Sequence, residues 1–145
     1  MIALGIDPGE KRIGVAVSDP LGMTARPVST IAHASLADDV TRVVDLARTL
    51  GAERVIVGHP LNMNGSVGPA ARRARRFANA IRRQSGLEVV LWDERLTTAE
   101  AEEALSGRRA GLQPAQTKEI IDRTAAAIML QDYLNAQRSA EAPCD

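Results

Sequence analysis

The chain has one cysteine in 145 residues, Cys144. A single thiol cannot build an internal disulfide framework or a cysteine-based zinc site. Aromatic residues are 2% of the sequence (Phe77, Trp92 and Tyr133), too few for a platform on which successive bases stack. No apolar run approaches the roughly 18 residues that span a bilayer. The opening MIALGIDPG has no basic stretch leading into an apolar one, so no secretory leader is expected. The formal net charge is +0, which argues against a protein that coats nucleic acid through bulk charge. No GxxxxGK[ST] phosphate loop is present. These absences point to a cytoplasmic protein without membrane attachment.

What is present is a 45% hydrophobic chain of the length of one ordinary domain. A single domain is expected over residues 1–138, with a disordered tail at 139–145. Charge is segregated along the sequence. Residues 69–86 hold Arg72, Arg73, Arg75, Arg76, Arg82 and Arg83 and no acid, whereas residues 93–103 hold five acids and one base. Such segregation can set a basic face beside an acidic pocket. Of the 18 basic residues, 16 are arginine, which suits bidentate phosphate contacts and equally reflects a GC-rich coding sequence.

Apolar periodicity gives the elements. Ile2 to Ile6 reads as a strand ending in a turn at Asp7-Pro8-Gly9. Arg12 to Ser18 alternates as a second strand, paired with the first as a hairpin through a short turn. A third strand is expected around Pro27 to Ala32. Val40, Val43, Val44, Ala47 and Leu50 mark one face of a helix over residues 38–50, stopped by Gly51. Arg54 to Gly58 is a continuous apolar run of the kind buried on both faces of a parallel sheet. A polar loop follows, then a helix to about Ser85 whose core stripe is Ala74, Phe77, Ala78 and Ile81. Arg72, Arg76 and Arg83 point away from that stripe. Glu88 to Trp92 is the fifth strand. Thr97 to Glu100 fits a capping box that starts a helix through Leu105. Residues 106–114 read as an exposed, mobile loop, and the last helix covers 117–136. Strands separated by helices imply parallel neighbours, and the initial hairpin makes the sheet mixed.

Open α/β sheets bind ligands beyond the carboxyl ends of their parallel strands. Asp7 and Glu94 stand at two such ends, and the 58–66 loop leaves a third. Gathered carboxylates suit hard divalent cations, and two such ions can activate a water and steady the leaving oxygen of a phosphodiester. Asp122 lies on the last helix among small or apolar neighbours, as an inward-facing third ligand or an ordinary surface acid. Asp7 before proline can equally shape a turn, and Glu94 can equally be a solvated loop acid. The arginine helix reads as a solvated face or a phosphate track, to which Lys11 and Arg12 of the hairpin turn could add. Asn62 offers donors to a phosphate or sugar. His59 is a possible proton shuttle, and His33 has no evident partner.

Four blocks, GIDPGEKRIGVAVSD (5–19), GHPLNMNGSVGP (58–69), DERLTTAEAE (93–102) and KEIIDRTAAAIMLQDYL (118–134), together resemble the YqgF/RuvX family. Its members are ribonuclease H-like proteins described as pre-16S rRNA nucleases or Holliday-junction resolvase-like proteins. The resemblance implies an α/β, ribonuclease H-like fold with a central mixed five-stranded sheet flanked by helices. It implies a hydrolase acting on phosphodiester bonds, with Asp7, Glu94 and Asp122 as catalytic carboxylates holding Mg²⁺ or Mn²⁺ in a two-ion site. Arg95, Asn62 and the arginine helix would then hold the nucleic-acid backbone. His59 departs from the family, which usually has an apolar residue before Pro60.

Structured RNA, with pre-16S rRNA favoured, is the expected substrate, and the chain is expected as a monomer or homodimer. The alternatives are a resolvase of branched DNA, which should be a dimer because it cuts two strands symmetrically, and a nucleic-acid-binding module without catalysis. An actin-like nucleotide enzyme fits poorly, because 145 residues leave no room for a second domain closing over ATP.

Overall fold

The computed structural model describes the backbone of residues 1–94 and 114–141, and the side chains of residues 1–94 and 123–140. The strands are β1 (Ala3–Pro8), β2 (Arg12–Ser18), β3 (Ala25–Ala32), β4 (Arg54–His59) and β5 (Glu88–Asp93). The helices are α1 (Leu36–Leu50), α2 (Pro69–Ser85) and α3 (Pro114–Glu141). They build one mixed five-stranded sheet in the order β3-β2-β1-β4-β5. The β1–β2 and β2–β3 pairs are antiparallel, whereas β1–β4 and β4–β5 are parallel. The expected mixed α/β architecture is therefore present.

Alternation along the strands divides the core into two layers. Leu4, Ile6, Val55 and Val57 face α1 and α2, where they meet Val40, Val43, Val44, Ala74, Phe77 and Ile81. Ala3, Ala16 and Ile56 face α3, where they meet Ala126, Met129, Leu130 and Tyr133. Helix α1 begins at Ser35, whose hydroxyl accepts from the Asp38 N–H at 3.2 Å, and it ends at Gly51 with φ 71°.

Several boundaries differ from the sequence expectation. Strand β1 runs two residues further, because Asp7 pairs with Gly14 and Pro8 with Ile13. Asp7 is thus inside a strand rather than in a turn. Pro114 opens α3 instead of closing a loop, since proline's missing N–H is harmless in a first turn. The same helix continues to Glu141, which corrects a disordered tail starting at 139. The expected 97–105 helix and most of the 106–114 loop lie outside the described residues. Among the described residues, no helix is long and apolar enough to cross a membrane.

Candidate active site

The two parallel pairs bring the carboxyl ends of β1, β4 and β5 to one edge of the sheet. On β1, Gly5 and Asp7 share the face covered by α3. On β4, Gly58 shares that face with Ile56. On β5, Val90 and Trp92 pack into the α3 layer, and Glu94 follows them in the same phase. Strand β4 lies between the other two, so a side chain at position 58 would stand between Asp7 and Glu94. Gly58 leaves that space open. A Cβ built there would lie 2.9 Å from the Glu94 carboxyl carbon, 3.2 Å from its Cγ, and closer still to one carboxyl oxygen.

The Glu94 carboxyl fills this gap and hydrogen-bonds to Asp7. Two carboxylates this close cannot both ionise without compensation. Burial, then the Asp7 hydrogen bond and the Asp7 and Asp93 charges, push Glu94 up to about 9. The pair therefore shares a proton at neutral pH unless a cation takes the proton's place. Oxygen-only donors forced together at a sheet edge fit a hard divalent ion such as Mg²⁺ or Mn²⁺. Among the described residues, no three potential ligands gather at one point.

Asp122 lies within α3, and its position can be placed from the backbone. A Cβ at Gly5 would be 2.9 Å from Leu130 Cβ and 3.2 Å from the Ala126 carbonyl oxygen, so the helix crosses β1 there. Further along α3, the Tyr133 hydroxyl accepts from Arg54 Nη1 at 2.6 Å, at the beginning of β4. The helix therefore runs antiparallel to β1 and β4. Asp122, one turn before Ala126, falls at the level of the Asp7 end of the sheet. Its side chain, like all of Arg95, lies outside the described residues.

The remaining expected site residues are distributed around this edge. Lys11 is exposed and Arg12 half-buried at the β1–β2 turn. Asn62 turns inward on its own loop: its Nδ2 donates to Ser66 Oγ at 2.9 Å, and its carbonyl accepts from Gly65 N–H at 2.8 Å. Arg72, Arg76 and Arg83 are exposed on α2, as the periodicity required. Arg72, Arg75 and Arg76 line one shallow depression. His59, only 8% exposed, points to the opposite face of the sheet from Gly58, and Arg75 Nε donates to its Nε2 at 3.1 Å. Burial and the Arg75 charge lower its pKa, so the ring is a neutral acceptor at pH 7. That pairing, on the face away from Asp7 and Glu94, makes His59 a fastening between β4 and α2 rather than a proton shuttle.

Three features are not evident from the sequence alone. Gly58 reads as the end of a strand, and only the sheet order reveals that it separates two carboxylates. Gly5 reads as part of an apolar run, yet it is the crossing point of α3. His33 does have a partner: its Nδ1 lies 2.5 Å from Asp39 Oδ2. The available signal was Asp39 itself, four residues before Val43 and thus on the core face of α1.

Comparison with known proteins agrees with the fold. The RuvX family profile, described as Holliday junction resolvase, matches residues 1–136. A protein of Syntrophus aciditrophicus named "Putative pre-16S rRNA nuclease" is 42% identical over 145 residues, covering 100% of this chain and 95% of that protein. One of the same name from Symbiobacterium thermophilum is 46% identical over 96% of this chain and 94% of its own length. Among solved structures, Thermus thermophilus RuvC in complex with a Holliday junction substrate aligns with TM-score 0.62 at 18% identity, covering 99% of both chains. The fowlpox virus Holliday junction resolvase aligns with TM-score 0.57 at 16% identity, covering 94% of this chain and 99% of that one. These structures share the ribonuclease H-like fold. With its mixed sheet, its paired carboxylates at the sheet edge and a family match reaching from the first residue to the last helix, the chain belongs to the RuvX family.

Proposed function

We propose that this protein is a divalent-metal-dependent nuclease that hydrolyses phosphodiesters in the maturation of pre-16S rRNA in the cytoplasm, with Asp7, Glu94 and Asp122 as its catalytic carboxylates. The observation that carries the reading is the Asp7–Glu94 carboxyl pair, hydrogen-bonded across the gap at Gly58. A half-buried acid pair of this kind is costly in isolation and is best compensated by a cation. The curated relatives' shared name supports the RNA substrate.

Asp7, at the carboxyl end of β1, would be one of the residues that hold the ions. Glu94 and Asp122 would complete the ligand set from β5 and α3. Bound Mg²⁺ or Mn²⁺ supplies Lewis acidity for the attack of water on phosphorus and neutralises charge on the departing oxygen. The protein's own contribution is placement. Gly58 lets Glu94 reach Asp7, and the crossing at Gly5 sets the height of Asp122. Arg95, Asn62, Lys11, Arg12 and the exposed Arg72, Arg76 and Arg83 would bind phosphates flanking the cleaved bond.

A second reading, cleavage of four-way DNA junctions, is favoured by the family's description as Holliday junction resolvase. The test sets end-labelled precursor small-subunit rRNA beside a synthetic four-way DNA junction, each with Mg²⁺, Mn²⁺ or EDTA. Metal-dependent cutting of the RNA alone is the expected result. Paired symmetric cuts in the junction would move the substrate to DNA. Binding without cutting of either substrate would refute a nuclease.

A further inference from the structure

On the sheet face away from α3, a cavity of about 220 Å³ opens between β1, the start of α1 and the middle of α2. Pro8, Ile13, Leu36 and Phe77 form its apolar walls, and His33, Asp39, Arg73 and Arg76 supply its polar groups. It is smaller than the roughly 300–1,000 Å³ typical of sites for drug-sized ligands, so it takes one compact ring system rather than an extended molecule.

Its polar side is built rather than incidental. Asp39 is 1% exposed, and a buried carboxylate is costly unless its oxygens are used. One oxygen accepts from the Ala34 N–H at 3.1 Å, and the other meets His33 Nδ1 at 2.5 Å. The imidazole is thereby held in one orientation. Its side chain is 45% exposed, and Nε2 remains as the ring's polar atom for a ligand. Arg73 and Arg76, three residues apart on α2, stand on the same helical face. Arg73 is loosely tied to exposed Glu10 at 3.5 Å, a pairing that an incoming anion can displace.

The cavity lies at the carboxyl end of β1, where Pro8 and Gly9 line it, on the opposite face of the sheet from the Asp7 side chain. Apolar walls for a base, an oriented imidazole for its edge and two guanidinium groups for its phosphate are what single-stranded RNA recognition requires.

We infer that this cavity is a nucleotide subsite: it takes one unstacked nucleotide of the substrate strand. His33, fixed by Asp39, reads the base edge, and Arg73 and Arg76 hold the phosphate. The inference rests on the nuclease reading for the identity of the strand, but the pocket can be tested without cleavage.

The experiment titrates AMP, GMP, CMP and UMP, with inorganic phosphate in parallel, into the protein in EDTA and follows amide shifts by NMR. At least one nucleotide should bind with Kd on the order of 1 mM, more tightly than phosphate. Leu36→Trp, at a rim residue that is 45% exposed, should block the cavity without disturbing the core and abolish binding. Glu10→Gln should release Arg73 and tighten binding several-fold, which a merely unfolded variant cannot do. Asp7→Asn should bind nucleotide as the wild type does. No binding of any nucleotide up to about 10 mM, unchanged binding in Leu36→Trp, or phosphate binding as tightly as the nucleotides would overturn the subsite. Metal-dependent cleavage with no nucleotide binding would fault this subsite alone. Nucleotide binding lost in Leu36→Trp, in a protein that cleaves nothing, would support the subsite and fault the nuclease reading.

Discussion

Replacing Gly58 with alanine should separate catalysis from stability. The new Cβ would lie 2.9 Å from the Glu94 carboxyl carbon and 3.2 Å from its Cγ, where unstrained carbon contacts need about 3.5–4.0 Å. The clash falls on the end of a flexible side chain, so Glu94 yields by rotating, and the carboxyl moves on the order of 1 Å. Overpacking costs about 1–3 kcal/mol at a rigid site. Here the cost should fall at or below the low end, because the carboxyl can swing away and alanine lowers the entropy of the unfolded chain. A displacement of about 1 Å at reacting groups, by contrast, costs roughly 10²-fold in rate. The assay pairs urea denaturation with single-turnover cleavage in Mg²⁺. The expected result is near-normal stability with cleavage reduced about a hundredfold. Wild-type cleavage by Gly58→Ala would refute the placement of Glu94 across β4.

Gly5→Ala meets Leu130 Cβ at 2.9 Å and the Ala126 carbonyl at 3.2 Å, and backbone cannot swing aside. It should lower stability by about 1–3 kcal/mol and also reduce cleavage, read by the same two assays, because α3 carries Asp122. In EDTA, Glu94 is raised to about 9 from 4.5, so the folded state keeps a proton that the unfolded state releases. The contribution of Glu94 to stability should be full below about pH 4.5 and be lost as pH rises toward 9. Urea midpoints across that range should show this slope for the wild type, a flatter profile for Glu94→Gln, and recovery on adding Mg²⁺. Changing Arg72 and Arg83 together to glutamine should weaken substrate binding and reduce the slope of log K against log salt by about 2. An unchanged slope would remove the helix from the phosphate track.

The strands and helices were legible because apolar residues repeat at two clear periods: RIGVAVS alternates, and Val40, Val43, Val44 and Ala47 form a stripe. The ends were less legible. Asp7-Pro8 reads locally as a turn, yet pairing with Gly14 and Ile13 carries the strand through both residues. Asp7 and Glu94 stand out in the sequence as acids at strand ends, with a structural use equally open for each, and Asp122 is named as a ligand by the family resemblance. What could not be read were relations across the sheet. Gly58 matters because β4 lies between β1 and β5, and strand order is not a local property of sequence. The His33–Asp39 pair was less legible because a single acid on a helix is ordinarily solvent-exposed, and the spacing of Asp39 from Val43 is the one sign in the sequence that this acid is buried.

Central to the proposed chemistry is a divalent ion held jointly by Asp7 and Glu94. The most direct measurement is Mn²⁺ binding, followed by the loss of the free-ion EPR signal, for the wild type, Asp7→Asn and Glu94→Gln. Each substitution should weaken binding by at least about tenfold, or 1.4 kcal/mol, while circular dichroism shows the fold intact. Wild-type Mn²⁺ affinity in both variants would contradict the account.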